Sequence, residues 1–176
     1  MYGDTITPAV TASRLASGTW ILDPDRSSVE FRTRLLYGLI GTVGGGFDRF
    51  RGTLDLTARP AIELVLEADS IDTGNRRRDR HLRSADFFDA AEHPQVRFAS
   101  ESVALEGEAL HVPGTLQAAG RSVPIDAFAT VRQAGEEFEI EAGAVVDQRQ
   151  LGMTFIPLGM LRPPARLAVR GRLVRW

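Results

Sequence analysis

The sequence has no cysteine, few aromatic side chains and no long apolar run. Without cysteine there is no disulfide framework, no thiolate nucleophile and no cysteine-based metal site. No window approaches the roughly 20 apolar residues that span a bilayer. Residues 1–18 also lack the charged start and apolar stretch of a signal peptide. We therefore expect a cytoplasmic protein with no stable membrane insertion, in which residues 1–18 form a flexible tail.

An excess of basic charge is missing as well, since 21 Lys and Arg stand against 23 Asp and Glu. A protein drawn to nucleic acid by its overall field needs a positive surplus. Five arginines between residues 76 and 83 are a local exception, but aspartates stand among them and no Phe, Tyr or Trp is interleaved. This pattern favours a solvated, ion-paired helix face, so no nucleic-acid partner is expected.

The sequence does have period-two alternation of apolar and polar residues from Trp20 onward. It predicts strands at residues 29–35, 53–56, 62–68, 95–105, 110–116, 123–131, 138–146 and 167–176. Short turn segments join most of them, which favours antiparallel neighbours. Closure into a barrel would protect the sheet edges. We predict an all-β fold over residues 19–176, a single antiparallel up-and-down barrel of about eight strands.

Two segments depart from this alternation and are predicted to cap the barrel mouth as one or two short helices. The first is a helix that begins after Thr73 or Asn75, ends near residue 84, and carries an i,i+4 ion pair between Asp79 and Arg83. In the second, residues 35–50, apolar side chains fall at helical spacing before three glycines at 44–46. The glycines indicate a sharp bend or a close backbone approach.

Catalytic and metal-binding patterns are weak. The three histidines, His81, His93 and His111, show no metal-ligand spacing, and no Gly-x-Ser-x-Gly elbow is present. The glycine run is not followed by the Lys-Ser/Thr of a phosphate loop. We expect no metal and no cofactor.

Several motifs resemble one known family. They are the stretch 68–75 (ADSIDTGN), Arg78-Asp79-x-His81-Leu82 running to Phe87-Phe88, His93-Pro94-x-Val96-x-Phe98, and Val146-Asp147-Gln148-x-x-Leu151-Gly152-Met153. Together they resemble the YceI-like family of polyisoprenoid-binding proteins over about residues 19–176. The resemblance implies a lipocalin-like barrel that binds a long isoprenoid or related amphiphilic chain. The family commonly has histidines where this chain has Arg26 and Leu35, so a polar contact near the mouth is not carried over.

The predicted binding residues are those at inward-facing positions of the strands and those in the two segments that are predicted to cap the barrel mouth. The apolar cavity and mouth are assigned to Phe31, Leu35, Leu39, Val43, Phe47, Leu54, Leu64, Leu66, Leu82, Phe87, Phe88, Phe98, Val112, Ile125 and Ile140. Polar contacts are assigned to Asn75, Arg78, Asp79 and His81. At least one of the adjacent phenylalanines is expected to insert between the helix and the mouth.

The leading functional hypothesis is a non-enzymatic carrier, storage or sequestration protein for a polyprenyl quinone or alcohol. Two alternatives stay open. One is an enzyme that uses Asp72, Asp79, His81 or Asp147 at the mouth on an isoprenoid-like substrate. The other is a barrel packed solid that serves as an interaction module, because small barrels either fill themselves or hold one small ligand. A homodimer is also left open.

Overall fold

The computed structural model describes residues 17–35, 42–153 and 161–176. Its one α-helix in these ranges is α1 (Arg76–Arg83), and three short 3₁₀ turns lie at Pro24–Arg26, Ala68–Ser70 and Gln148–Leu151. The strands are β1 (Thr19–Leu22), β2 (Ser28–Leu35), β3 (Thr42–Phe47), β4 (Phe50–Asp55), β5 (Ala61–Glu67), β6 (Ile71–Asp72), β7 (Gln95–Ser100), β8 (Ala104–Glu106), β9 (Ala109–Ala118), β10 (Arg121–Ala134), β11 (Glu137–Val146) and β12 (Leu161–Arg175).

The sheet closes on itself as an antiparallel barrel. Strands follow the order β1-β4-β5-β7-β9-β10-β11-β12, and β12 then pairs with β1 to complete the ring. The long β12 also pairs with β2, because β1 and β2 continue one another around the turn Pro24–Arg26. Strands β3 and β4 are likewise successive halves of one bent strand, and they pair with β2 and β1. The predicted all-β, eight-stranded antiparallel barrel is confirmed.

Aromatic side chains fill one end of the barrel. Trp20 of β1 and Phe138 of β11 meet edge to face with ring centroids 4.5 Å apart, and both are almost fully buried. Leu110 and Val131 are buried as well. We call this the closed end.

An arginine on the turn between β1 and β2 braces the closed end. Arg26 donates from both terminal nitrogens to the Glu137 carboxylate, at 2.9 and 2.8 Å, and from Nε to Asp23 at 2.7 Å. Its guanidinium lowers the pKa of both carboxyls below their ordinary values. Arg26 therefore lies at the closed end, whereas the sequence analysis expected this position near the mouth.

A connecting segment, residues 73–94, covers the opposite end, and we call it the lid. It contains α1, whose Leu82 is buried, and it returns to the barrel at β7. Asn75 caps the helix, since its side-chain oxygen accepts from the backbone N–H groups of Arg77 and Arg78, both at 3.1 Å. The predicted capping helix is therefore present, with one of the two proposed caps in use.

The three glycines at 44–46 were predicted to mark either a sharp bend or a close backbone approach, and the structure distinguishes the two. Residues 44–46 lie inside strand β3, so the helical spacing read over residues 35–50 is wrong for 42–47. A Cβ at Gly45 would stand 2.6 Å from the backbone oxygen of Asp72 and 2.7 Å from Thr73 Cγ2. The close backbone approach is thus confirmed, because only glycine lets the lid's first residues sit this near to β3.

Two other local predictions need correction. Residues 95–105 form two strands rather than one: β7 ends at Ser100, whose hydroxyl accepts from the Ile62 N–H at 2.8 Å, and β8 begins at Ala104. The expected Asp79–Arg83 ion pair is not formed. Asp79 is buried and accepts from Thr73, while Arg83 donates to the backbone oxygen of Ile71 at 2.7 Å.

Candidate functional site

The barrel encloses an apolar cavity. It runs from Leu22 and Leu173, near the closed end, to Leu151 and Met153 at the lid end. Its volume is about 190 Å³. An apolar cavity of roughly 150 Å³ stays dry and accepts a small aromatic molecule, so this space is large enough to hold a ligand. The barrel is therefore hollow. The alternation of side chains along the strands could not show this, because a packed barrel has the same alternation.

Small side chains on two neighbouring strands create much of the space. On β10, Ala127 and Ala129 point inward, and they pair across the strands with Ala144 and Ala142 of β11. Four alanines in one patch of wall leave room that leucine or valine would fill. The alternation of inward and outward residues predicts that these alanine side chains point inward. It does not show whether the barrel interior is packed solid or hollow.

Most of the apolar residues predicted from sequence line this cavity. They are Phe31, Phe47, Leu54, Leu64, Leu66, Phe88, Phe98, Val112, Ile125 and Ile140. Val43, Leu82 and Phe87 are buried but do not line it. Leu35 is the last residue of β2. Leu39 lies outside the described residues.

The adjacent phenylalanines of the lid have different surroundings. Phe88 lines the cavity and packs edge to face on Phe47 of β3, with ring centroids 5.8 Å apart. Phe87 is buried against His81 of α1, with centroids 5.2 Å apart. The Phe88 N–H donates to the backbone oxygen of Leu82 at 3.0 Å, which fixes the ring pair to the helix. Phe88 is therefore the lid phenylalanine whose ring reaches the cavity.

The polar residues predicted to touch a ligand hold the lid together instead. Asp79 accepts from the backbone N–H of Thr73 at 3.0 Å and from its hydroxyl, and Arg78 donates to that hydroxyl at 2.8 Å. Asn75 caps α1. His81 lies 3.1 Å from Asp86. None of these four predicted polar residues lines the cavity.

The carboxylates proposed for an enzyme are also engaged elsewhere. Asp72 accepts from the Gly74 N–H at 2.7 Å, and Asp147 is ion-paired with Arg149 at 2.7 Å, which lowers the pKa of that carboxyl. Glu63 stands in the cavity wall, but its carboxylate pairs with Arg97 at 2.7 Å and is half-exposed on the outer surface. Among the described residues, no His, Asp or Glu cluster could hold a metal ion.

The lid end includes wall residues that the sequence did not reveal. Gln148, Leu151 and Met153 follow β11 and line the cavity through a 3₁₀ turn. They belong to one of the motifs that resemble the family, but the alternation that predicts inward side chains cannot be extended past the end of a strand. One signal in the sequence could have identified them. Asp147 is a typical capping residue, and Leu151 and Met153 follow it at a spacing that suits a short turn packed against a core.

Comparison with known proteins matches this chain to one protein family. A family model described as "YceI-like domain" matches residues 20–170. Protein YceI of Escherichia coli O157:H7 is 35% identical over 97 residues, which are 53% of this chain and 51% of that protein. Protein YceI of Salmonella arizonae is 33% identical over the same length. The chain thus spans about half the length of the curated relatives it matches.

Solved structures share the fold at low identity. BcnA of Burkholderia cenocepacia superposes with a TM-score of 0.77 at 17% identity, covering 87% of this chain and 99% of that one. A domain from Saccharophagus degradans, described as polyisoprenoid-binding, gives a TM-score of 0.71 at 13% identity, covering 92% and 100%. The YceI protein of Campylobacter jejuni gives 0.69 at 20% identity, covering 79% and 88%.

Within residues 17–35, 42–153 and 161–176, no helix has the length and the apolar character needed to cross a bilayer.

Proposed function

Because this chain belongs to the YceI-like family, we propose that it binds a long-chain isoprenoid or similar amphiphilic lipid inside the barrel, as a carrier, storage or sequestration protein. The observation that carries the proposal is the barrel cavity itself, which is lined by apolar side chains and has no titratable side chain aimed into it among the described residues. A polyprenyl quinone or alcohol fits this wall. The Saccharophagus degradans neighbour described as polyisoprenoid-binding supports the same ligand class.

The energy of binding follows from the wall chemistry. Each methylene moved from water into an apolar site contributes about 0.8 kcal/mol. An isoprenoid chain of several units therefore binds tightly with almost no polar recognition, and the walls need only be apolar and the right width. A carrier of this kind needs no group of tuned pKa, whereas an enzyme does.

The lid end is the entrance in this proposal. Trp20 and Phe138 fill the closed end with tightly packed rings. At the other end, the lid contributes one cavity-lining ring, Phe88. Phe88 can move with the lid without breaking a hydrogen bond between strands, because its N–H donates to Leu82 of the lid helix and its ring packs on the side chain of Phe47.

Native mass spectrometry combined with lipid extraction tests the proposal. Protein purified from its source under native conditions should carry a co-purified prenyl lipid, and the stripped protein should take up an added one with one chain per barrel. An empty barrel that also rejects prenyl quinones and prenyl alcohols would contradict the proposal and favour an interaction module.

A further inference from the structure

The outward side of the lid helix α1 carries three arginines that make no ion pair. Arg76, Arg77 and Arg80 are exposed, whereas Asp79 and Leu82 of the same helix are buried. At about 3.6 residues per turn, the three arginines fall within about 100° of helix surface, on the side opposite Leu82. Among the described residues, no side-chain hydrogen bond or ion pair holds any of the three. We call these three residues the arginine face.

The other two arginines of the helix have structural partners. Arg78 donates from Nε to the Thr73 hydroxyl at 2.8 Å and from a terminal nitrogen to the Thr73 backbone oxygen at 2.9 Å. Arg83 donates to the backbone oxygen of Ile71 at 2.7 Å. These two arginines hold the lid in place, and the arginine face does not. The ion-paired helix face predicted from the sequence is therefore not formed by the three outward arginines.

The arginine face is unfavourable for the helix that carries it. The N-terminus of a helix has a partial positive charge, so cations in the first turn are repelled. Arg76 and Arg77 are the first two residues of α1. Arg76 and Arg80 are also an i,i+4 pair of like charge, which destabilises a helix. Because these cations reduce the stability of the lid and no described contact compensates, they point to a role outside the fold.

The charges around the arginine face do not neutralise it. Asp48 and Asp72 line one surface recess with Arg76 and Arg80, but no ion pair forms between them. The net charge of −2 is spread over the whole chain. Exposed charges more than about 10 Å apart are largely screened at 0.1 M salt. A surface that approaches the lid helix from outside therefore meets the positive charge of the arginines first.

We infer that the arginine face docks the lid end of the barrel on a bilayer surface that contains anionic phospholipid. This inference rests on the proposed function and adds the surface from which the ligand is loaded. A hydrophobic chain is stored in a bilayer, and the lid covers the end at which such a chain would enter the barrel. Guanidinium groups donate in a fixed fork that fits phosphate oxygens. The contact that holds the protein on the membrane thus also turns the entrance toward the lipid.

An acidic protein is the competing partner, and the lid surface suits it less well. The centre of a protein interface is apolar and rich in aromatic side chains. Among the described residues, the exposed large apolar side chains are Phe128, Val145 and Trp176, and none of them belongs to the lid. A charged membrane needs no such centre. One basic side chain near an anionic membrane strengthens binding about fivefold, so three give about a hundredfold, which is weak enough for a carrier to leave again.

Co-sedimentation with lipid vesicles tests the docking. Vesicles of phosphatidylcholine alone are compared with vesicles of equal parts phosphatidylcholine and phosphatidylglycerol. The face variant combines Arg76→Gln, Arg77→Gln and Arg80→Gln. It removes three charges and leaves the hydrogen bonds of Arg78 and Arg83 in place.

A matched control removes the same charge elsewhere. It combines Arg59→Gln, Arg132→Gln and Arg170→Gln, three exposed arginines of the barrel that lie outside the lid. The face variant and the control have the same net charge, so they differ only in where the positive charge is lost.

We expect the parent protein to bind the anionic vesicles about a hundredfold more tightly than the neutral ones, and added salt should weaken this binding. The face variant should lose most of the preference, and the control should keep it. Hydrogen exchange of the α1 amides should be no faster in the face variant than in the parent protein, because cations are removed from the helix N-terminus. Lost binding would then not come from an unfolded lid.

Two results would overturn the docking. One is equal binding of the parent protein to neutral and anionic vesicles, which would leave an acidic protein as the partner of the arginine face. The other is an equal loss of preference in the face variant and in the control. Uptake of a prenyl quinone from detergent micelles, measured without vesicles, keeps the two proposals apart. Uptake without a vesicle preference contradicts the docking alone, whereas no uptake by the parent protein contradicts the proposed function and with it the loading role of the arginine face.

Discussion

At the scale of single residues, the width of the cavity depends on alanine. Ala129 and Ala142 face each other across β10 and β11, and Val169 of β12 is the next inward neighbour of Ala142. A larger side chain at either alanine would project into the cavity. In a packed core such an insertion costs about 1–3 kcal/mol in strain, whereas an empty cavity absorbs the added volume.

The first prediction concerns Ala142→Phe. We expect affinity for a prenyl quinone to fall at least tenfold, while the free energy of unfolding changes by less than about 1 kcal/mol, because the ring occupies space that is empty without ligand. Quinone titration and thermal melting measure the two effects. The matched control is Ala168→Phe on the outer side of β12, which should leave affinity unchanged. Full affinity together with a large loss of stability in Ala142→Phe would indicate a solid barrel.

The second prediction separates the two lid phenylalanines. Phe88→Ala should speed lipid dissociation several-fold with a modest loss of stability, since Phe88 lines the cavity where it opens to the lid. Phe87→Ala should mainly destabilise the lid, because its ring is buried against His81 and buried Phe→Ala changes cost about 3–5 kcal/mol. Stopped-flow release of a fluorescent lipid, with thermal melts, measures both. An unchanged dissociation rate in Phe88→Ala would make this segment a structural plug.

The direction of single side chains could be predicted from the sequence where strand parity applied, whereas their contact with a ligand stays a prediction. Leu64, Phe98 and Ile140 line the cavity because inward positions repeat every second residue. It failed at Gln148 and Met153, because a 3₁₀ turn has no two-residue period to extend. The polar residues Asn75 and Asp79 were predicted to face ligand, yet their short side chains hydrogen-bond to the nearby backbone, as Asn and Asp commonly do at helix starts.

At the scale of elements, the lid is a short helix that depends on its ends. Eight residues make too short a helix to be stable alone, so its cap and its tertiary contacts must hold it. Asn75 supplies the cap, Leu82 the apolar anchor, and the Thr73–Asp79 hydrogen bonds tie the first turn to the preceding chain. A change at one of these residues should alter the lid more than the barrel.

The third prediction is that Asn75→Ala weakens the lid by about 1 kcal/mol, the usual cost of losing an N-cap side chain. Hydrogen exchange of the α1 amides should speed up about fivefold, while exchange in β9 and β10 stays unchanged. The control Asn75→Asp keeps a capping oxygen and should behave as the parent protein. Equal loss of protection in the barrel strands would show that the lid and the barrel unfold as one unit.

The fourth prediction concerns acid and the brace at the closed end. Asp23 and Glu137 have pKa values below their ordinary ones, chiefly because each accepts a hydrogen bond from Arg26. A depressed pKa in the folded state contributes stability above the unfolded pKa, and this contribution is lost as the pH falls through the folded value. The melting temperature should therefore drop as the pH falls below about 4.5. Arg26→Gln should flatten this drop.

A suitable comparison for the acid effect is Arg170→Gln. Arg170 stands on the outer barrel wall, and its contact with Glu141 is long, at 4.0 Å. Its removal should leave the acid dependence as in the parent protein. If both variants show the same slope of melting temperature against pH as the parent protein, the brace at Arg26 does not cause the acid sensitivity.

Whole elements were predicted more reliably than their ends. Alternation indicated the antiparallel barrel, and the polar, arginine-rich stretch indicated the helix on its mouth. The division of 95–105 into β7 and β8 was missed, because apolar residues resume at Val103 and Leu105 soon after the polar residues of the break. The strand at residues 42–47 was missed because glycine has no side chain that could show an alternating pattern. The role of Gly45 became visible only through its close approach to the backbone of Asp72.

At the scale of the molecule, the barrel is a slender container with one closed end. Along β12, the cavity extends from Ala165 to Leu173, about 26 Å of strand at 3.3 Å per residue. A strand tilt of about 35–45° reduces this to roughly 20 Å of depth. A volume of about 190 Å³ over such a depth fits a single extended chain better than a compact ring system. The tail should point toward Trp20 and Phe138.

Photo-crosslinking tests this placement most directly. A prenyl quinone with a diazirine at the far end of its tail is bound and irradiated, and the labelled peptides are identified by mass spectrometry. The account predicts labels on inward residues near the closed end, such as Leu22, Leu54 and Leu173. Phe128 and Val145, exposed on the outer wall, serve as the internal comparison. Labels concentrated on these outer residues, or on the outer face of α1, would contradict a ligand held inside the barrel.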